Sequence, residues 1–252
     1  MKKHKVAEVC MTLDIVIPMA GRGSRFAEAG YELPKPLIEV AGRPMIARVI
    51  DNLRPKVAHR FVFLVLAEHL RDYQIDQKLK AWAGINTVVV PIQQVTEGAA
   101  CTVLLAKPYL SASDMVIANS DQLVDFSFEQ FVSDARTSRA DGSILVFEDS
   151  DEKWSFARVN AAGEVIEVAE KKPISNLATV GIYYFKTGLD FVKGAEQMIA
   201  KNSRVNGEFY VCPVYNELIA MKKRILTAKI EKSSMHGVGT PEDLALYLKQ
   251  AR

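Results

Sequence analysis

The stretch Leu13-Asp14-Ile15-Val16-Ile17-Pro18-Met19-Ala20-Gly21-Arg22-Gly23-Ser24-Arg25-Phe26 joins a short β-branched run to a loop with two glycines. The run, closed by Pro18, reads as a buried strand. Glycines just past the C-terminal end of a strand allow a tight loop whose backbone N–H groups can face a phosphate. Gly21-x-Gly23 lacks a third glycine at dinucleotide-binding spacing, and no Gly-Lys-Ser/Thr follows, so it is neither a dinucleotide fingerprint nor a P-loop. Taken alone, it is equally a structural turn. Two cations tilt that balance. Arg25 follows the loop, and Lys35 stands between Pro34 and Pro36, which hold the backbone on either side of it. A cation at ~4 Å from a phosphate oxygen gains about 4 kcal/mol at an effective dielectric of roughly 20, so two of them suit a triphosphate.

Outward from this segment, strands and helices alternate. Apolar spacing predicts a helix over 44–53, with Pro44 in its first turn, and a strand covered on both faces over 61–66. A charged helix over 70–82, a strand over 87–90, a helix over 97–107, a strand over 115–118 and a helix over 128–136 follow. Such alternation implies a parallel sheet wrapped by helices. The second half changes character: a strand over 143–147, a hairpin of 156–160 with 164–168 turning at Gly163, and strands over 178–185 and 225–230. Thr240 then caps a helix that opens with Pro241 and carries acids in its first turn. The expected fold class is α/β: one domain over 13–252, with a mostly parallel central sheet, a small β-hairpin region and a short extension at 1–12.

Composition excludes several classes. Lysine plus arginine (32) nearly balances aspartate plus glutamate (30), a net charge of +2 that argues against broad nucleic-acid binding. At 49% hydrophobic and 25% charged residues the chain is an ordinary globular one rather than a disordered one. Cys10, Cys101 and Cys212 are widely spaced with no CxxC pair, so neither a disulfide framework nor a thiolate zinc site is expected. Cys101 and Cys212 fall in expected helices and read as buried small apolar groups. No apolar run approaches the ~20 residues of a membrane helix, and the basic start lacks a signal-peptide core. A cytoplasmic location is expected, with no nucleic-acid or membrane partner.

Gly21-Arg22-Gly23-Ser24-Arg25, Leu33-Pro34-Lys35-Pro36-Leu37 and Ala41-Gly42-Arg43-Pro44-Met45-Ile46 together resemble the sugar-1-phosphate nucleotidyltransferases, or nucleotide-sugar pyrophosphorylases. The likeness runs from residue 13 to about residue 248. It implies a Rossmann-like nucleotidyltransferase fold with the hairpin region on the acceptor side. Ala20, Gly21, Gly23 and Ser24 would then hold the nucleotide, with Gln93 and Gly98 of Gln93-Gln94-Val95-Thr96-Glu97-Gly98 at the base. Asn119 and Asp121 of Ala118-Asn119-Ser120-Asp121 sit where the family ends a strand with a magnesium-binding aspartate. Val168-Ala169-Glu170-Lys171-Lys172-Pro173 is similar to the family's sugar- and phosphate-holding segment. Gly181 and Tyr183, with Glu208 of Gly207-Glu208-Phe209, match further sugar-side positions. The implied reaction is in-line attack of an acceptor phosphate on the α-phosphorus of a nucleoside triphosphate, with pyrophosphate leaving. Arg25 would hold the β- and γ-phosphates, Lys35 would bridge α-phosphate and acceptor, Lys171 would steer the acceptor phosphate and Asp121 would hold Mg2+.

Three departures from the family pattern stand out. Gly237 occupies the position of a second metal-binding aspartate; adjacent His236 reads as a packing or hydrogen-bonding residue, imidazole being a poor magnesium partner. Trp154-Ser155-Phe156-Ala157 replaces a Tyr-Gly pair, and Ala157 adds a methyl near the expected acceptor. The doubled lysine at 171 and 172 leaves open which of the two takes the phosphate. Accordingly a cytidylyltransferase for a non-sugar phosphate or phosphonate, or a non-catalytic nucleotide-binding regulatory protein, is the alternative to sugar-1-phosphate activation. A glycosyltransferase would more naturally carry Asp-x-Asp than Asp121-Gln122-Leu123. Oligomeric state stays open, a homodimer being the guess.

Overall fold

A computed structural model describes residues 12–250. The 1–12 extension therefore lies outside the described residues except for Thr12, as does Cys10. The chain opens with β1 (Leu13–Pro18), α1 (Ser24–Glu28), a 3-10 turn at Lys35–Leu37, the short pair β2 (Glu39–Val40) and β3 (Arg43–Pro44), and α2 (Met45–Asn52). Next come β4 (His59–Leu66), α3 (Ala67–Tyr73), α4 (Ile75–Ala83), β5 (Val88–Ile92), α5 (Ala99–Leu104), β6 (Met115–Ala118), β7 (Gln122–Val124) and α6 (Phe128–Thr137). The second half holds β8 (Gly142–Glu148), β9 (Ser155–Val159), β10 (Val165–Glu170), β11 (Leu177–Phe185), α7 (Gly188–Ala200), α8 (Val214–Ala220), β12 (Ile225–Lys229), β13 (Met235–Gly237) and α9 (Pro241–Gln250).

The main sheet runs β10-β9-β11-β6-β1-β4-β5, with β8 also paired to β11 and β12 to β8. Strands β6, β1, β4 and β5 are parallel, while β11 runs antiparallel to β6 and starts the hairpin side. Alternation along the strands explains why helices cover both faces. Leu13, Ile15 and Ile17 of β1 join Phe61, Phe63 and Val65 of β4 in one buried cluster with Met45, Ile50 and Phe131 of the helices. Val16, Val62 and Leu64 point into the opposite cluster with Val103, Phe191, Ala195 and Tyr215. After β1 the chain winds one way to β4 and β5, then returns to place β6 on the other side of β1. That reversal makes a crevice at the C-terminal ends of β1 and β6, the usual ligand position in an open α/β sheet.

Several elements differ from expectation. The single helix over 70–82 is two helices, α3 and α4, because Gln74 adopts a left-handed conformation (φ 49°) between them. The helix over 97–107 begins at Ala99, after Gly98 at φ 126°, and ends at Leu104, before a separate 3-10 turn at Lys107–Tyr109. Strand β5 extends through Pro91, which an edge position tolerates. Two three-residue strands, β7 and β13, were not expected. They pair antiparallel and bring Gly237 opposite Gln122, next to Asp121. Among the described residues no helix is long and apolar enough to cross a membrane.

Candidate functional site

The crevice between β1 and β6 opens into a cavity of about 750 Å3. One end is lined by Ala20, Gly21, Gly23, Ser24, Arg25, Lys35, Gly98, Asn119 and Asp121, the other by Ser155, Glu170, Lys171, Gly181, Tyr183 and Glu208. All but one of the site residues expected from sequence therefore share one space. The exception is Gln93. It is exposed in the bend after edge strand β5 and is not part of the cavity wall, whereas Val95, Thr96 and Gly98 further along that loop are.

At the end formed by the loop after β1, backbone geometry sets the cations. Gly23 has φ 62°, and a Cβ on it would come within 2.9 Å of the Cβ of Lys35, so the loop seats directly on the lysine. Gly21 differs: it is outside the left-handed region, and a Cβ there would meet nothing within 4 Å. Its freedom from a side chain leaves space in the cavity rather than permitting the turn. Lys35 opens the 3-10 turn, Leu37 N–H donating to Pro34 O at 2.8 Å. This turn aims the ammonium across the crevice, where it forms an ion pair with Asp121. Both side chains are about one-fifth exposed, 21% and 22%. Arg25 is exposed on α1 and faces the same cavity.

Asp121 is held from behind. A Cβ at Gly239 would lie 2.5 Å from Asp121 Oδ2, and Val238 N–H donates to the Asp121 backbone carbonyl at 2.9 Å. Among the described residues no cluster of three or more His, Cys, Asp or Glu side chains forms a metal cage. His236 does as expected and bonds elsewhere, its Nε2 lying 2.8 Å from Asp125 Oδ2 and its ring packing on Tyr247.

At the other end, β9 and β10 pair so that Ser155 faces Glu170, and the serine hydroxyl donates to that carboxylate. Burial holds the Glu170 carboxyl above the ordinary carboxylate range, the Ser155 hydrogen bond opposing the shift. The next residue, Lys171, has φ 53°, a left-handed conformation costly for a side chain other than glycine. That turn brings Lys171 to Tyr210, whose hydroxyl accepts from the lysine at 2.9 Å; this bond raises the ammonium above its usual value. Of the doubled lysine, Lys171 lines the cavity and Lys172 does not. Ala157 is a correction in the other direction. It is fully buried in the core and does not line the cavity, whereas Ser155, two residues earlier on the same face of β9, does.

Gly181 (φ 92°) leaves no room for a Cβ, which would come within 2.4 Å of Asn119 Nδ2; Asn119 N–H in turn donates to Gly181 O at 3.0 Å. Tyr183 is buried with its hydroxyl 3.0 Å from Thr179 Oγ1. Cys212 is buried as expected but precedes α8 rather than lying in a helix, and burial pushes its thiol far up from the ordinary value, leaving it inert. Cys101 lies in α5 and is only half-buried. Lys153, Trp154, Thr179, Tyr210 and Asp243 also line the cavity. Nothing in their spacing along the chain announces this, since they arrive on four separate segments: the loop before β9, β11, the loop before α8, and α9.

A raised Glu170 pKa has a thermodynamic consequence. The folded state binds the proton more tightly than the unfolded chain, so stability falls as pH rises from the ordinary carboxylate value towards the folded one. Glu170→Gln is therefore expected to melt higher than the wild type at pH 7, the gap closing below about pH 4 where both are neutral. Equal melting temperatures at pH 7 would show that Ser155 compensates the charge in full.

Residues 15–237 match the family model described as nucleotidyl transferase. The chain is 25% identical over 236 residues to UTP–glucose-1-phosphate uridylyltransferase AglF of Haloferax volcanii, covering 92% of this chain and 93% of that protein. It is 30% identical over 177 residues to the mannose-1-phosphate guanylyltransferase catalytic subunit beta of Drosophila pseudoobscura pseudoobscura, covering 68% of this chain and 47% of that one. Among solved structures, the nucleoside-diphosphate-sugar pyrophosphorylase of Vibrio cholerae RC9 superposes with a TM-score of 0.81 at 28% identity, over 94% of this chain and all (100%) of that one.

Proposed function

Because the chain belongs to the nucleotidyl transferase family, we propose that it transfers a nucleotidyl group from a nucleoside triphosphate to a phosphorylated small metabolite, a sugar 1-phosphate. One observation carries this reading: Lys35 and Asp121, 86 residues apart in sequence, meet at the crevice between β1 and β6, in one cavity with the acceptor-side pair Glu170 and Lys171. A cation and a carboxylate at the phosphate end, with a polar chamber beyond, suit transfer between two phosphorylated substrates.

In the reaction, an oxygen of the acceptor phosphate attacks the α-phosphorus. The bond from that phosphorus to the oxygen bridging it to the β-phosphate breaks, and pyrophosphate leaves. Such transfer depends on positioning and charge stabilisation more than on covalent work by the protein. Gly21, Gly23 and Ser24 form the loop under the triphosphate. Arg25 neutralises the β- and γ-phosphates, where charge accumulates as pyrophosphate departs. Lys35 lies nearest the transferring phosphoryl group, and Lys171 draws in the acceptor phosphate. Glu170, fixed by Ser155, accepts from the acceptor's hydroxyl groups.

A divalent metal is general to this family, and Mg2+ is the ion we assign. The residues present fit it: Gly239, having no Cβ, leaves room for the Asp121 carboxylate at the cavity wall, and a hard cation that keeps several waters needs only one or two carboxylates plus phosphate oxygens. When bound, it would neutralise phosphate charge. Incubating the protein with each of four nucleoside triphosphates, Mg2+ and a panel of sugar 1-phosphates is expected to release pyrophosphate with one matched pair. Binding of a triphosphate without release by any acceptor would support the regulatory alternative instead.

A further inference from the structure

Gly237 and Gly239 stand on either side of Val238 but face different surroundings. A Cβ on Gly239 would collide with Asp121. One on Gly237 would have no such clash: the heavy atoms within 4 Å belong to the Asp243 carboxylate, with Oδ2 at 3.8 Å and Cγ at 3.9 Å. Asp243 sits in the first turn of α9, where the Thr240 hydroxyl takes its backbone N–H at 3.1 Å. Its carboxylate lines the same cavity as Asp121, Gly237 and Thr240. Among the described residues it accepts no hydrogen bond and joins no ion pair. Acids in a first turn often do no more than complement the helix dipole. This one faces a cavity lined with cations and shaped for phosphates, where an uncompensated negative charge would repel the nucleotide. Lys35 neutralises Asp121 and leaves Asp243 unpaired.

We infer that Asp243 is the second carboxylate of the divalent-cation site, reaching from α9 into the space in front of Gly237 and partnering Asp121. A cation shared by the two acids converts the repulsion between Asp243 and a triphosphate into attraction. The inference rests on the metal-dependent transfer proposed above, but its test does not require turnover.

Mn2+ alone is titrated into the full chain, and free Mn2+ is followed by its paramagnetic resonance signal. Asp243→Asn and Asp121→Asn are each expected to weaken Mn2+ binding by about tenfold or more. Gly237→Asp in the Asp243→Asn background is expected to recover most of that loss, because the side chain added at 237 enters the space that Asp243 fills. Melting temperatures show that each variant is folded. Wild-type Mn2+ affinity in Asp243→Asn, with Asp121→Asn weakened, would overturn the assignment of Asp243 and leave nucleotidyl transfer untouched. Failure of the double variant to recover would also overturn it. Failure of the function itself reads out separately, as absence of pyrophosphate release by the unaltered protein.

Discussion

Lys35→Ala is expected to lower the turnover number for pyrophosphate release by about 10^2- to 10^3-fold, the usual cost of removing one preorganised charge partner at a reacting centre. The lysine is held rather than merely present. Pro34 and Pro36 restrict the backbone, the 3-10 turn at Lys35–Leu37 aims the side chain, and Gly23 packs against its Cβ. Little reorganisation is left to be done when charge develops at phosphorus, so the loss should fall on the turnover number more than on KM. Lys35→Arg should not rescue it. A planar guanidinium cannot replace a compact ammonium, and the contact with Gly23 leaves the backbone no slack to reposition a longer side chain. Stability should change little, because the ion pair with Asp121 is partly solvated and such pairs contribute about 0–1 kcal/mol. Steady-state pyrophosphate release together with a thermal melt separates the two effects. A turnover number unchanged in a folded Lys35→Ala protein removes the lysine from the chemistry.

The parts of this site that sequence reveals are those where local chemistry and global position coincide. The run from Leu13 to Ile17 is mostly apolar and β-branched because it is buried on both faces, and the loop after it therefore emerges at the C-terminal end of the central strands. Asp121 follows another such strand, so the two ends could be expected to meet. What stayed hidden depends on backbone conformation or on short pairings. Lys171 enters the cavity and Lys172 does not because of a single left-handed residue, which nothing in Glu-Lys-Lys-Pro reveals. Gln74 breaks a helix in the same way, without the glycine or proline that would signal it. Strands β7 and β13 have three residues each, too few for alternation to register, yet their pairing carries the chain from Asp121 to Gly237 and on to Asp243. Gln93 was placed by motif alone, and motif spacing says nothing of which way a bend after an edge strand turns.

Gly98→Ala should be the most damaging single-methyl change at the site. Gly98 has φ 126°, and a Cβ there would lie 2.5 Å from Phe209 O and 2.6 Å from Phe209 N. These are backbone atoms in a hydrogen-bonded junction, with Phe209 N–H donating to Glu97 O at 2.8 Å and Ala100 N–H donating to Phe209 O at 3.0 Å. No rotamer change relieves the clash; the two segments must separate, and both bonds weaken together. Strained backbone plus broken buried hydrogen bonds puts the cost at about 3 kcal/mol or more. For a domain of this size that is a fall of about 6–12 °C in melting temperature. The loss should extend to the nucleotide, because the same junction positions Thr96 and Ala99 in the cavity wall. Gly21→Ala supplies the contrast. It carries neither a left-handed φ nor any neighbour within 4 Å, so stability should hold to within about 0.5 kcal/mol. Its methyl nevertheless enters the space intended for phosphates and should raise the KM for the triphosphate. If Gly98→Ala melts with the wild type, the packing of the 93–98 loop on Phe209 is not what fixes that end of the site. Should Gly21→Ala bind the triphosphate unchanged, the loop after β1 does not approach the phosphates.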